Sequence, residues 1–340
     1  MTQTRPVAGW TMPLAVPSSL VYGAVVRARN ALWSMGLGVG RASKPVVSIG
    51  NIVAGGTGKS PMSRLVAQWM LDAGVRPLLA TRGYGARDGI ADEVEEFKAL
   101  VPGAAVAVDP SRRRGVAAAS AAGERFDAVL LDDGFQHRAL ARDLDVVLID
   151  AQRPCLSDWL LPAGWLREPV TALRRADAIV VTQADDVDDA LSEKIASISG
   201  REPIAWCRLE PRTLELRRGP TVVEQPFEWL AGRSVVVWAG LANPERVVSV
   251  VRARGASVRA APRLRDHQPY DQALLRQLLE QAKGVDAIVV TGKDWTKLEG
   301  RIPPFAPPIA VLRAGWRFAA GEAQFHSTVL QVVKPNLQGS

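Results

Sequence analysis

The chain has 340 residues, 47% of them hydrophobic, and a formal net charge of +7. A chain of this length and composition can bury more than one core, which excludes a disordered or fibrous protein and predicts two domains of ordinary size. Its two cysteines, Cys155 and Cys207, provide neither a disulfide framework nor metal-ligand spacing. We therefore expect both to be small buried residues of a protein from a reducing compartment.

The positive charge is concentrated in residues 1–71, which contain seven basic side chains and no Asp or Glu. Because these charges are sparse and interleaved with large apolar residues such as Trp10 and Trp33, the region suits an anionic membrane surface better than nucleic acid. Prolines and a glycine argue against a spanning helix, and no cleavable signal is evident. We predict an amphipathic helix over residues 18–37 in the membrane interface. A helix packed on its own domain is an equally open alternative.

A glycine-rich loop follows a short apolar run in residues 45–61, PVVSIGNIVAGGTGKSP. The run fits a buried strand, and the loop glycines let backbone N–H groups converge on an anion at the start of a helix. Val53 stands where the usual pattern has its first glycine. Lys59 nevertheless adds a mobile positive charge and Ser60 can ligate Mg²⁺, so the segment predicts a nucleoside triphosphate site. The predicted phosphate-binding residues are Gly55, Gly56, Thr57, Gly58, Lys59 and Ser60.

The segments after this loop alternate between apolar runs and helical patterns, as in a doubly wound, mostly parallel sheet of the P-loop NTPase type. Predicted strands cover residues 77–81, 105–108, 128–131, 146–149, 178–182, 234–238, 258–261 and 287–291; predicted helices cover 60–73, 111–122, 186–199, 243–254 and 272–281. Prolines and short alternating segments predict a linker, or alternatively a hairpin, over residues 206–229. The predicted organisation is an N-terminal membrane-associating segment 1–44, a P-loop core 45–205, this linker and a smaller α/β domain 230–335.

Ligands of parallel sheets bind outside the carboxyl ends of the strands. Asp132 and Asp133 follow the apolar run AVLL there, which favours a carboxylate that holds a metal ion beside the phosphates. His137 is a candidate for phosphate or substrate contact, and Arg167 lies in a loop punctuated by Pro and Gly that suits anion capture. A solvated turn and a surface arginine are the simpler alternatives. The chain lacks the Asp-x-x-Gly expected after this strand in a GTPase.

Eight motifs follow one another along the chain: SIGNIVAGGTGKSP, TRGYG, ADEV, DDGFQHRALARD, LLPAGWLREP, AGLANPERV, RDHQPY and TGKD. In this order they resemble the tetraacyldisaccharide 4′-kinases of lipid A synthesis over about residues 12–315, and DDGFQH and LPAGxLREP are specific to that family. The resemblance implies a kinase, monotopic on the cytoplasmic side of the inner membrane, that uses ATP and Mg²⁺. Its acceptor would be the 4′-hydroxyl of a tetraacylated disaccharide 1-phosphate, and its other partner an anionic membrane surface, not nucleic acid.

The resemblance also implies roles for individual residues. Lys59 matches the phosphate-loop lysine, Asp92 the catalytic aspartate, and His267 the histidine that assists it. The matching metal-side residues are Ser60, Glu93, Asp132 and Asp133, and the expected substrate contacts are Tyr84, Gln136, His137 and Arg167. The sequence departs from the family pattern at Ala-Asp-Glu-Val, where Gly-Asp-Glu-Pro is usual, and over residues 155–159, where a glycine-rich run is usual.

Two other functions compete with a kinase. A membrane-tethered regulatory ATPase would act through partner binding, would hydrolyse ATP without lipid, and would need no acceptor-activating aspartate and histidine. A lipid-binding module that has lost turnover is the weaker alternative, because Lys59 and Asp133 are intact.

Overall fold

The computed structural model describes residues 12–82, 94, 97–98, 100–240, 244–265 and 270–334. Its strands are β1 (Val46–Gly50), β2 (Pro77–Thr81), β3 (Ala105–Val108), β4 (Ala128–Asp132), β5 (Leu144–Asp150), β6 (Ala178–Thr182), β7 (Ala205–Arg218), β8 (Thr221–Gln225), β9 (Ser234–Trp238), β10 (Ser257–Ala260), β11 (Ala287–Thr291) and β12 (Ile309–Ala320). Its α-helices are α1 (Met12–Ser34), α2 (Lys59–Asp72), α3 (Arg112–Ala121), α4 (Asp189–Ser199), α5 (Pro244–Ala253), α6 (Gln272–Gln281), α7 (Gly292–Leu298) and α8 (Glu322–Val333).

The chain divides into two compact units. The first comprises residues 1–208 and 317–340, and the second comprises residues 209–316. This division differs from the predicted smaller domain over residues 230–335, because α8 belongs to the first unit. The rings of Phe325 and His326 on α8 pack edge-on against Trp69 of α2 at centroid distances of 5.2 and 5.0 Å.

The first unit is organised around a parallel sheet with β1 near its centre. The strand order is β7-β6-β5-β1-β4-β2-β3, and the paired strands are parallel. The apolar runs of β1 and β4 are buried along their length, as expected for strands covered on both faces. From β1 the chain passes to β2 and β3 on one side, and after β4 it crosses to β5 and β6 on the other side of β1, which creates a crevice at the carboxyl ends of β1 and its neighbours. The predicted doubly wound sheet is confirmed.

The second unit contains the parallel strands β10, β9, β11 and β12, in that order, with β7 next to β12. Of the two alternatives predicted for residues 206–229, the structure has the hairpin, because β7 pairs antiparallel with β8. Leu214 of β7 is fully buried in a core with Phe227 and Leu230. Burial of these apolar side chains explains why the segment is ordered as a strand and not left as a connection.

The motif TGKD has a structural role in the second unit. Asp294 is buried, and the Tyr270 hydroxyl and the Gly240 N–H donate to it at 2.9 and 3.1 Å. The Thr291 side chain accepts from the Asp294 N–H and so caps α7. One carboxylate thus connects this motif with the ends of AGLANPERV and RDHQPY that the structure describes.

Helix α1 begins earlier than the predicted residue 18 and ends before residue 37. The helix includes Pro17 in its second turn, where the missing N–H removes one intrahelical hydrogen bond. One face is buried on the first unit and the other is apolar but exposed. The buried face includes Ala15, Ser19, Gly23 and Val26, and the exposed apolar residues are Leu14, Leu20, Val21, Val25 and Leu32. No helix in the described ranges is both long and apolar enough to cross a bilayer.

Both cysteines are buried and free, as expected. Burial raises the pKa of the Cys207 thiol to about 12 and also raises that of Cys155. Neither thiol is therefore prepared to act as a nucleophile at neutral pH.

Candidate active site

The phosphate loop connects β1 to α2. Gly58 lies at the N-terminus of α2 in the left-handed conformation (φ 86°), and Gly55 has a φ of 120°, which favours glycine at both positions. Among the described residues, no side chain caps α2, and its first turn contains no acidic residue. Because the first N–H groups of a helix lack intrahelical acceptors and carry partial positive charge, this end of α2 suits a phosphate group.

Buried hydrogen bonds hold the phosphate loop in place. The Asn51 amide donates to the Thr57 hydroxyl at 2.9 Å, and the Thr182 hydroxyl donates to the Thr57 carbonyl at 3.1 Å. Thr57 itself is buried, so its side chain is part of the internal support of the loop. We therefore expect a nucleotide contact at this position to come from its backbone.

Lys59 and Arg167 converge on the carboxylate of Asp133. Lys59 Nζ lies 3.6 Å from Asp133 Oδ1, and Arg167 Nη1 lies 2.8 Å from Asp133 Oδ2. Burial acts to raise the pKa of Asp133, but Lys59 and Arg167 outweigh burial and lower it. Lys59 also donates to the Gly55 carbonyl at 3.2 Å. An ionised Asp133 therefore holds two cationic side chains beside the phosphate loop.

The neighbouring carboxylate, Asp132, is buried at the end of β4. The hydroxyls of Ser60 and Ser63 on α2 donate to its two oxygens at 3.0 and 2.9 Å. Burial raises the pKa of Asp132, although both hydroxyls act to lower it. Two adjacent carboxyls thus have pKa values shifted in opposite directions, a pattern typical of functional sites.

In the part of the chain that the structure describes, no group of three His, Cys, Asp or Glu side chains converges to hold a metal ion. The oxygen donors still fit Mg²⁺, because this ion takes one or two carboxylates from a protein and completes its shell with water and phosphate oxygens. The hydrogen bond from Ser60 to Asp132 fixes a hydroxyl and a carboxylate together at the start of α2. Ser60, Asp132 and Asp133 are the residues that could hold the ion.

The turn after β4 depends on the sequence Asp-Asp-Gly. Asp133 has a φ of 50°, a left-handed backbone that Asp adopts more readily than most residues. A Cβ on Gly134 would lie 2.5 Å from Ser48 Oγ and 2.7 Å from Leu131 Cβ, so glycine is required for this close approach. The Gly134 N–H donates to the Ile49 carbonyl at 3.1 Å. The turn is thereby held against β1, next to the phosphate loop.

Gln136 and His137 follow this turn. The Gln136 side chain donates to the Asn51 carbonyl at 2.8 Å, and Arg167 lies 3.5 Å from Gln136 Oε1. His137 Nε2 is buried and has no hydrogen-bond partner within the described ranges. Burial and nearby arginines, Arg112 foremost, lower the pKa of His137 to about 4. His137 is therefore neutral at pH 7 and can offer a substrate a hydrogen bond but not a positive charge.

Sequence reasoning missed Arg112 and Ser63. The buried Arg112 guanidinium donates to the carbonyls of Asp132 and Asp133 at 3.2 and 3.3 Å, so it supports both carboxylate-bearing residues. Arg112 lies in a run of three arginines, and nothing in the sequence distinguishes the one that turns inward. Ser63 lies one helical turn after Ser60, and this spacing is the signal that could have identified it.

The loop over residues 155–168 carries Arg167 and includes the departure from the family pattern. The carboxylate of Asp158 accepts the N–H groups of Trp159 and Trp165 at 2.8 and 3.0 Å. Asp158 thus supports the loop from within, where the family has a glycine-rich run.

Four candidate residues lie outside the described residues: Tyr84, Asp92, Glu93 and His267. Three of them come from the segment between β2 and β3, and the fourth from the segment before α6. Their roles as substrate contact, base, metal ligand and assisting histidine stay predictions.

The fold and the described part of the site define a P-loop protein with a site for a nucleoside triphosphate. The phosphate loop and two cationic side chains suit the phosphates, and the hydroxyl and carboxylates beside them suit their metal ion. The model of the family described as tetraacyldisaccharide-1-P 4′-kinase (LpxK) matches residues 11–334, and the chain belongs to this family. The resemblance of the sequence motifs is thus confirmed.

Two curated relatives and one solved structure support the same family assignment. The chain is 36% identical over 312 residues to the tetraacyldisaccharide 4′-kinase of Chlorobium phaeovibrioides, which covers 85% of this chain and 88% of the relative. It is 34% identical over 320 residues to that of Geobacter sulfurreducens, covering 88% of this chain and 87% of the relative. The crystal structure of LpxK from Aquifex aeolicus in complex with ATP aligns with a TM-score of 0.71 and 26% identity, over 94% of this chain and 98% of that chain. These similarities favour a kinase over a regulatory ATPase.

Proposed function

We propose that this chain transfers the γ-phosphate of ATP to the 4′-hydroxyl of a tetraacyldisaccharide 1-phosphate. The observation that carries the proposal is the convergence of Lys59 and Arg167 on Asp133 beside the phosphate loop. A phosphoryl group in transfer spreads negative charge over its oxygens, and cationic side chains fixed in advance stabilise that charge. The identity of the acceptor follows from the family to which the chain belongs.

The described residues bind and orient ATP in this proposal. Backbone N–H groups of residues 55–60 bind the phosphates, and Lys59 neutralises charge on the β- and γ-phosphates. Ser60, Asp132 and Asp133 hold Mg²⁺, which when bound neutralises charge on the transferred group.

The acceptor is bound by residues from several segments. Arg167 can bind an anionic oxygen of either substrate, since its guanidinium lies beside the phosphate loop. Gln136 and the neutral His137 offer hydrogen bonds to sugar or phosphate oxygens. Tyr84 is proposed as a further contact on the strength of its motif, TRGYG.

Asp92 is proposed as the base for the acceptor hydroxyl, with His267 assisting it and Glu93 on the metal side. All three assignments rest on the family motifs. A positioned general base contributes about 10² or more to the rate, so Asp92→Asn should lower turnover by about that factor with little change in ATP affinity. Equal turnover of this variant and the wild type would show that Asp92 is not the base.

The function is tested by transfer of label from γ-labelled ATP to the tetraacylated disaccharide 1-phosphate in mixed micelles. We expect Mg²⁺-dependent appearance of label in the lipid and little release of free phosphate without lipid. Steady phosphate release without labelled lipid would instead support a regulatory ATPase.

Membrane association through α1 is part of the proposal. An acylated acceptor leaves the bilayer only at a cost of about 0.8 kcal/mol per methylene, so the enzyme must act at the membrane. The exposed face of α1 carries Leu20, Val21 and Val25, each more than half exposed, and the exposed Arg27 on the same helix suits an anionic surface. We propose peripheral attachment on the cytoplasmic side of the inner membrane, a location that the supply of ATP and the two free thiols support.

We predict that Val21→Gln with Val25→Gln lowers the fraction of protein that floats with anionic liposomes about tenfold or more. Burying a valine side chain contributes about 1.5 kcal/mol or more, and both valines are exposed to solvent in α1. Substitution is preferable to deletion of the helix, which would also expose the surface of the first unit that the helix covers. Flotation of the wild type should weaken with salt, because each arginine near an anionic surface contributes about 1 kcal/mol.

A matched control is available on β8, where Val222 and Val223 are also exposed. The variant Val222→Gln with Val223→Gln has the same change in composition and should float like the wild type. If the two double variants float equally, α1 does not provide the membrane contact.

A further inference from the structure

The buried face of α1 makes a series of hydrogen bonds to one loop. The Ser19 hydroxyl donates to the Leu160 carbonyl at 2.8 Å and accepts the Ala163 N–H at 3.0 Å. One turn later, the Tyr22 hydroxyl donates to the carbonyl of Arg167 at 2.9 Å. The helix therefore contacts the backbone of Arg167, whose guanidinium forms an ion pair with Asp133.

Two turns further along α1, Asn30 extends the contact to Glu168. The Asn30 amide donates to Glu168 Oε2 at 2.6 Å, and Arg175 Nη1 lies 2.9 Å from the same carboxylate. Glu168 is fully buried, so it depends on these partners to remain in place. Arg138 also donates to the Asn30 carbonyl at 2.8 Å, which connects α1 to the segment that carries Gln136 and His137.

The same loop is bonded on its other side to the chain that enters the phosphate loop. The Arg167 N–H donates to the Ile52 carbonyl at 2.8 Å, and the Ala54 N–H donates to the Trp165 carbonyl at 2.7 Å. Residues 160–168 are thus held between α1 and the start of the phosphate loop. Because the bonds from Ser19 and Tyr22 to this loop are short and at least partly buried, a displacement of α1 would also displace Arg167.

From this geometry we infer that Ser19, Tyr22 and Asn30 are positioning residues for Arg167. Helix α1 would then fix the position of residues 160–168 in addition to contacting the membrane. The inference rests on the proposed function, because Arg167 acts on the transferred phosphoryl group. It assigns the buried face of α1 a role in turnover that is separate from attachment by its exposed face.

The first test is a double-mutant cycle on kinase turnover with Tyr22→Phe and Arg167→Ala. Tyr22→Phe keeps the ring and removes one hydrogen bond, so we expect kcat to fall about three- to tenfold, with a melting temperature lower by only a few degrees and with unchanged liposome flotation and KM for ATP. Because Tyr22 acts through Arg167, the double variant should be no slower than Arg167→Ala alone. A Tyr22→Phe enzyme as fast as the wild type, or losses that multiply in the double variant, would overturn the inference.

The second test uses a matched pair of adjacent serines. Ser19→Ala removes the buried hydroxyl, whereas Ser18→Ala removes an exposed hydroxyl that donates to the Leu14 carbonyl within α1. In ligand-free protein, amide hydrogen exchange of residues 160–168 should become faster in Ser19→Ala and stay unchanged in Ser18→Ala. Equal exchange in both variants would contradict the inference. This readout does not need kinase activity, so failure of the wild type to label the lipid would reject the proposed function alone.

Discussion

Replacing Lys59 by alanine is expected to lower kinase turnover by about 10² to 10³ while the protein stays folded. Removing one preorganised group that stabilises developing charge costs roughly 3 to 4 kcal/mol in comparable sites. Lys59 is placed for this task, since its Nζ lies between the Gly55 carbonyl and the Asp133 carboxylate at 3.2 and 3.6 Å. Arg167 remains in the variant, so some electrostatic stabilisation survives and the loss should stop short of complete inactivity.

The measurement is label transfer to the lipid at saturating ATP, together with thermal melting of the ligand-free variant. Lys283→Ala is a suitable control, because Lys283 is an exposed lysine of the second unit and undergoes the same change in charge and size. Activity of Lys59→Ala within about threefold of the control would contradict the proposed role.

The part of the site that sequence predicts well is the part whose determinants are local. The β1–loop–α2 unit is specified by an apolar run, by glycines that adopt positive φ and by the residue pair Lys59-Ser60. Asp132 and Asp133 follow an apolar run in the same way, and the parallel pairing of Ile49 with Asp132 brings the two segments together. The apolar runs and the turn residues can be read from a single sequence, whereas the pairing of these two strands is a property of the fold.

The elements that sequence did not predict depend on distant partners. β12 begins with the apolar Ile309–Leu312 stretch but continues as a half-buried strand with glycine and arginine, which has no clear alternation. Its neighbour β7 lies about a hundred residues earlier in the chain, so no local signal predicts the pairing of these two strands. The helix α1 was predicted, but its packing was not, because its contacts with Leu160 and Arg167 join residues more than 140 positions apart.

The second large effect is expected for Asp132→Asn, which should lower turnover by about 10² and yet stabilise the ligand-free protein at neutral pH. The carboxylate is needed to hold Mg²⁺. Its ionised form is costly without the metal, because burial raises the pKa of Asp132. The hydroxyls of Ser60 and Ser63 now donate to the carboxylate, and either can rotate to accept from an amide of the same shape.

The pH dependence of this effect has a definite sign. The folded-state pKa of Asp132 lies above its unfolded value of about 3.9. The contribution of Asp132 to the free energy of unfolding is therefore fully present below a pH of about 3.9 and is lost as the pH rises through the folded-state pKa. Asp132→Asn should therefore melt above the wild type at pH 7, and the difference should shrink as the pH falls towards 4. Added Mg²⁺ and ATP should raise the melting temperature of the wild type more than that of the variant.

Glu215 provides the contrasting control. Burial acts to raise the pKa of this half-buried carboxyl, but Arg313 and Arg217 outweigh burial and lower it, and Arg313 Nε lies 2.9 Å from Glu215 Oε1. Glu215→Gln would remove a charged partner of both arginines, so this variant should melt below the wild type at pH 7. If Asp132→Asn also melts below the wild type at pH 7, the Asp132 carboxylate contributes to stability as that of Glu215 does. The conflict between stability and metal binding inferred for this site would then be wrong.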